Sequence, residues 1–104
     1  MIENKEIRLI SERIVSKIHP RNIILFGSYA TNTEHEESDI DLCVIVNTKK
    51  RKIDIIREIR RELIGLVKHP IDILVYEYRE FNERANSLNS IEKEILRSGV
   101  YLYG

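Results

Sequence analysis

The apolar run Asn22-Ile-Ile-Leu-Phe26 stops abruptly in Gly27-Ser28, and ten residues later a second apolar run opens on Asp39-Ile-Asp41. This short β-branched and aromatic run predicts a strand, and Gly-Ser ends it in a tight turn. Ser28 then stands where a helix is expected to begin. The second run, residues 39–46 (DIDLCVIV), also has strand composition. Side chains alternate between the faces of a strand, so acids at i and i+2 share one face.

This pattern, GSYATNTEHEESDIDL, has a chemical reading. Amides at a Gly-Ser turn make an anion cradle, glycine allows close approach, and a helix start would add favourable partial charge; phosphate suits such a place. Two carboxylates side by side repel each other unless they share a cation, and an all-oxygen ligand set suits magnesium or manganese. A phosphate cradle beside a divalent-metal pair points to a nucleotide. Of the four aspartates in the chain, a third, Asp72, lies in another strand-like run, residues 71–76. If that strand lies beside the second, Asp72 completes a three-carboxylate site, as metal ligand or as general base for an attacking hydroxyl. Asp54, the fourth, reads as helix surface.

Gly27, Ser28, Asp39, Asp41 and Asp72 together resemble the signature of the polymerase beta-like nucleotidyltransferase superfamily, and most of all its minimal nucleotidyltransferases, the antitoxin partners of HEPN-domain toxins. The likeness runs from about Asn22 to the C-terminus. The resemblance implies an α/β fold of the βαβαβ type, a small mixed β-sheet flanked by helices, with ATP as substrate, two Mg2+ ions, and AMP transferred to a hydroxyl, in the paired systems a tyrosine of the toxin. Carried over position by position, it places Gly27 and Ser28 on the outer phosphates, Asp39 and Asp41 on the metals, and Asp72 on the catalytic metal and the acceptor hydroxyl. One departure stands out: Thr31 and Asn32 occupy positions where many relatives carry Arg-Gly. Asn tolerates the left-handed backbone a glycine would supply, but the cation is absent. The competing reading is a Gly-Ser turn and an acidic loop on an ordinary α/β domain.

With 104 residues the chain has room for one core, read as a single minimal domain over residues 1–104, so any acceptor must bring its own binding structure. The formal net charge is zero, which gives no drive toward nucleic acid or membrane. Charge is segregated nonetheless. Glu34, Glu36, Glu37, Asp39 and Asp41 are all acidic, whereas Lys49-Lys-Arg-Lys52, Arg57, Arg60 and Arg61 form a basic stretch. The basic run could contact triphosphate or an acidic partner, against the simpler reading of a solvated loop and helix face. His35 and the glutamates around it are read as exposed. A single cysteine, Cys43, makes no intramolecular disulfide and fits a small core residue of an intracellular, cytoplasmic protein; nothing suggests zinc, and no stretch approaches a membrane span.

Ile7, Ile10, Ile14 and Ile18 mark an amphipathic helix ending before His19-Pro20. Ile53, Ile56, Ile59 or Arg60, Leu63 and Val67 mark a second. Residues 79–87 and 90–97 read as two short helices, the latter capped by Asn89 or Ser90 and closing at Gly99. The terminal Val100-Tyr-Leu-Tyr-Gly104 is too apolar to fray and must be covered, by the chain's own sheet or helices or else at a homodimer or toxin interface. Tyr29 is expected as a core anchor rather than an adenine platform, Tyr76 and Tyr78 are open between these roles, and His19 and His69, each before a proline, are expected in turns.

Three functions follow in order of preference: adenylyl transfer to a HEPN toxin, an antitoxin acting by contact alone, and nucleotidyl transfer to a small molecule.

Overall fold

The computed structural model describes residues 4–104. The elements are α1 (Lys5–Ile18), β1 (Asn22–Phe26), β2 (Ile40–Val46), α2 (Lys52–Leu63), β3 (Ile71–Glu77), α3 (Tyr78–Ala85), α4 (Ile91–Ser98) and β4 (Val100–Tyr103). The four strands form one mixed sheet in the order β3-β2-β1-β4. β1 pairs antiparallel with both β2 and β4, while β2 and β3 run parallel through the α2 crossover.

Strand alternation divides the core between the two faces of the sheet. Ile23, Leu25, Leu42, Val44, Val46, Ile73 and Val75 face α1 and α2, where Ile7, Ile10, Ile14, Ile55, Ile59 and Leu63 meet them. Ile24, Cys43, Ile45 and Tyr76 face the other way, toward Phe81 and Ala85 of α3 and Ile95 of α4. Burial, with a smaller contribution from Glu92, pushes the Cys43 thiol up to about 12, so this cysteine is a packed apolar residue rather than a nucleophile.

Several expectations hold. α1 starts where the Asn4 side chain accepts the Ile7 amide at 3.1 Å and stops at left-handed His19, ahead of Pro20. Ser90 caps α4. At Gly99 the close approach of β1 leaves no room for a side chain, because a Cβ would press on Ile24 and on the Ile95 and Leu25 carbonyls. The terminal apolar segment is covered by the chain's own sheet: it becomes β4, with Val100 and Leu102 half-buried and Tyr101 and Tyr103 turned outward.

Other expectations fail in detail. The link between β1 and β2 contains no helix, so the chain is not a simple βαβαβ alternation. On α2 the buried stripe is Ile55, Ile59 and Leu63, at strict i+4 spacing, whereas Ile53 is 47% exposed. The helix also ends at Leu63, just before left-handed Gly65, so Val67 packs against the core from a loop. β2 begins at Ile40, one residue after Asp39, and β3 runs one residue further, to Glu77, whose carboxylate opens a capping box with Glu80.

Tyr76 resolves to a core role. Its hydroxyl donates at 2.6 Å to Glu92, a carboxylate only 5% exposed, and its ring meets Phe81 edge-on at 5.2 Å. Burial and then the Glu92 carboxylate push the phenol upward, so it stays a donor. Tyr76→Phe leaves that buried carboxylate without its side-chain donor, and should cost about 1–3 kcal/mol, or roughly 5–15 °C in Tm, measurable by thermal denaturation. Tyr78 instead stacks under the Arg21 guanidinium, 3.7 Å from its ring centre.

Candidate functional site

The Gly27 turn, the Asp39 loop and the start of β3 meet at one end of the sheet. In register, Phe26 lies opposite Asp41 on one side of β2, and Asp41 opposite Asp72 on the other. Asp41 therefore sits between the Gly-Ser turn and the Asp72 carboxylate. Alternation puts Asp41 and Asp72 on the sheet face that carries Cys43, Leu74 and Tyr76.

Gly27 has φ +76°, and a Cβ there would collide with Oδ2 of Asp41. Both facts call for glycine: the left-handed backbone and the space taken by the carboxylate. Beyond it, the expected helix is a series of turns. The Ala30 and Thr31 amides return to the Gly27 carbonyl at 3.0 and 3.3 Å, Thr33 returns to Ser28 at 2.9 Å, and Asn32 takes a left-handed φ of +57°. The short side chain of Asn32 bears that backbone, and no i→i−4 ladder propagates past it. The amides that the sequence offers as an anion cradle thus belong to a turn, with no helix dipole behind them. Tyr29, 8% exposed, anchors the turn in the core as expected.

The acidic loop is tied down at its end. Ser38, 7% exposed, accepts the His35 amide through its hydroxyl at 2.8 Å and returns its own amide to the His35 carbonyl at 2.9 Å. This holds Asp39, which is exposed, at the mouth of β2. Sequence reasoning passed over Ser38; its place directly before the first acid is the signal that could have found it. Glu34, His35, Glu36 and Glu37 are all exposed.

Asp41 is half-buried and lies opposite Asp72 in the β2–β3 register, where one carboxyl can hydrogen-bond the other once either is protonated. Burial, then the charges of Asp72 and Asp39, then that hydrogen bond to Asp72, push Asp41 up to about 6. Among the described residues, no three His, Cys, Asp or Glu side chains form a finished metal cage. The pair in contact is Asp41 and Asp72, and Asp39 acts on Asp41 through its charge. The donor set still fits a hard divalent cation. It is all oxygen, every influence acting on Asp41 penalises its charged form, and a cation would relieve that penalty.

The sign of the pH dependence follows. A carboxyl raised in the fold adds stability that is complete below its ordinary value of 3.8 and is lost as pH climbs through about 6. The metal-free chain should lose Tm over that window relative to Asp41→Asn, which has no charge to develop. Paired melts from about pH 4 to about pH 8 check this; a constant difference across the window would refute it.

The basic run does not join the site. Lys49 to Lys52 follow the far end of β2, where Lys50 pairs with Glu58, Arg51 with Asp54 and Lys52 with Glu80. It behaves as a solvated loop and helix face. His69 is more than a turn residue, because its Nδ1 donates to Glu6 at 2.7 Å. No helix among the described residues is long and apolar enough to cross a membrane.

The chain has relatives among known proteins. The family model of a nucleotidyltransferase domain matches residues 7–102. Three relatives from Methanocaldococcus jannaschii carry the name "putative protein adenylyltransferase". One is 31% identical over 99% of this chain and 100% of its own length. A second is 38% identical over 79% of this chain and 57% of itself, and a third 38% over 50% and 55%. The chain thus spans little more than half of two of these relatives. Among solved structures, a toxin-antitoxin crystal structure with AMP-PNP superposes with a TM-score of 0.71 at 22% identity, over 97% of this chain and 74% of that one. A Sulfolobus solfataricus protein, solved as a putative nucleotidyltransferase, gives 0.61 at 19%, over 93% and 76%. The family model spans most of the chain and one relative matches it over its full length: the chain belongs to the nucleotidyltransferase domain family.

Proposed function

We propose that this chain is a minimal nucleotidyltransferase, one catalytic unit over residues 1–104, that transfers AMP from ATP to a hydroxyl, the acceptor being a tyrosine of a cognate HEPN-type toxin in the cytoplasm. The observation that carries this reading is the Asp41–Asp72 pair, set side by side by the β2–β3 register, with Asp41 packed against a glycine that admits no side chain. The adenylyltransferase names of the relatives and the AMP-PNP-bound toxin-antitoxin structure support it.

In this reading the turn at Gly27 and Ser28 receives the outer phosphates through amide and hydroxyl. Asp39, Asp41 and Asp72 would hold magnesium, and two such ions, when bound, neutralise charge on the attacking and leaving oxygens. The acceptor oxygen bonds to the α-phosphorus, the bond to the bridging oxygen of the β-phosphate breaks, and pyrophosphate leaves. Asp72 stands at the mouth of β3, exposed, where it can take the acceptor proton. Thr31 offers no cation where many relatives have arginine, so charge compensation on the phosphates rests on the metals.

Incubation with ATP and magnesium, with and without a HEPN-type toxin encoded beside it, followed by intact mass, tests the proposal. An AMP-sized increment on the toxin is expected. A stable complex without increment would favour an antitoxin that acts by contact, and neither complex nor increment would favour a small-molecule acceptor.

A further inference from the structure

Resting on that reading, we propose that Glu6 and His69 form a positioning brace that sets the Gly27–Ser28 turn against the strand bearing Asp72, so that nucleotide phosphates and carboxylates meet in register. Glu6, in the first turn of α1, accepts the Lys68 amide at 2.6 Å and the His69 amide at 3.3 Å on Oε2, and His69 Nδ1 at 2.7 Å on Oε1. One carboxylate thus fixes the loop that enters β3 three residues before Asp72. Burial works to raise Glu6, but these three partners outweigh it and hold the carboxyl below its usual value. The next residue, Pro70, accepts the Ile40 amide at 2.9 Å, between Asp39 and Asp41. The His69 ring then stands edge-on to Tyr29, 6.2 Å between centres, and Tyr29 directly follows Ser28.

The need for a brace comes from the sheet order. Asp41 and Asp72 are set against each other by the β2–β3 ladder itself. The Gly-Ser turn leaves β1, which is not a neighbour of β3 because β2 lies between them. No ladder bond fixes the turn relative to Asp72; the His69–Tyr29 contact spans that gap across the end of β2. Tyr29 packs in the core on the α1 and α2 side of the sheet, opposite the carboxylates. The pair therefore cannot touch nucleotide and acts through the turn alone.

The test is calorimetric titration of the full chain with Mn2+ alone and with AMP-PNP in the presence of Mn2+. His69→Asn keeps a group able to bond Glu6 but removes the ring from Tyr29; Glu6→Ala removes the anchor; Glu6→Gln keeps its geometry without its charge. The first two should weaken AMP-PNP binding by about 10-fold while Mn2+ alone binds within about twofold of the parent, and Glu6→Gln should stay within about threefold for both. Tyr76→Phe, destabilised elsewhere, should leave nucleotide affinity unchanged. Unaltered AMP-PNP affinity in His69→Asn overturns the brace, as does a parallel loss of Mn2+ and nucleotide. If Glu6→Ala does not fold, His69→Asn decides alone. A parent chain that binds neither probe would overturn the functional reading itself, and the brace with it.

Discussion

Asp41→Asn should lower adenylyl transfer by at least about 10³-fold while melting at or above the temperature of the parent at neutral pH. Rate and stability move apart because one group governs them in opposite directions. With metal and nucleotide bound, the carboxylate is a ligand, and losing it removes several kcal/mol of charge stabilisation, each factor of ten in rate being about 1.4 kcal/mol. Without metal, the same carboxylate is pushed up to about 6 by burial and by Asp72 and Asp39, so its charge is a burden at neutral pH. Asparagine is close in shape and can still hydrogen-bond Asp72. Mass spectrometry of the product and thermal melts of the metal-free proteins give the two numbers. A variant that is inactive and also strongly destabilised would argue that Asp41 is structural.

Gly27→Ala should be damaging on both counts. The backbone stays at φ +76°, a region that costs an L residue about 1 kcal/mol, and the new methyl collides with the Asp41 carboxylate. Either the turn opens or Asp41 swings away from Asp72. A loss of about 1–3 kcal/mol in stability is expected, together with at least about 10²-fold in transfer, since an ångström of misplacement is enough for that. In the double variant with Asp41→Ala the stability loss should shrink, because the carboxylate that the methyl meets is gone. Denaturant titration of the single and double variants measures this coupling. Additive losses would mean that the turn conformation alone makes position 27 glycine.

Three of the four strands were legible because their signals are local. Four apolar residues, Ile23 to Phe26, closing in Gly-Ser define β1, and the apolar run after Asp39 defines β2, with Asp41 inside the strand and Asp39 one residue before it. The partnership of Asp72 could be stated only conditionally, since sequence does not reveal which strands are neighbours; the parallel register of β2 and β3 supplied it. The helix expected after Ser28 was inferred from the strand-and-turn pattern alone, while the left-handed Asn32 and the bonds back to Gly27 favour a turn. On α2 the isoleucines are dense enough to draw two stripes, and packing against α1 and β3 selected Ile55, Ile59 and Leu63. Glu6 was invisible as a site residue for a different reason: its partners lie more than sixty positions away, at Lys68 and His69, and no periodicity carries that information.

The placement of β4 has a consequence for how the chain acquires its shape. β1, from whose end the Gly27 turn hangs, is an interior strand only because residues 100–103 pair along its outer side. On a growing chain β1 and β2 can pair early, and β3 can join once α2 has formed, yet the outer edge of β1 stays open until residues 100–103 arrive. Pairings this distant in sequence close late and slowly. Until then an unpartnered apolar strand, Asn22–Phe26, is available to other chains.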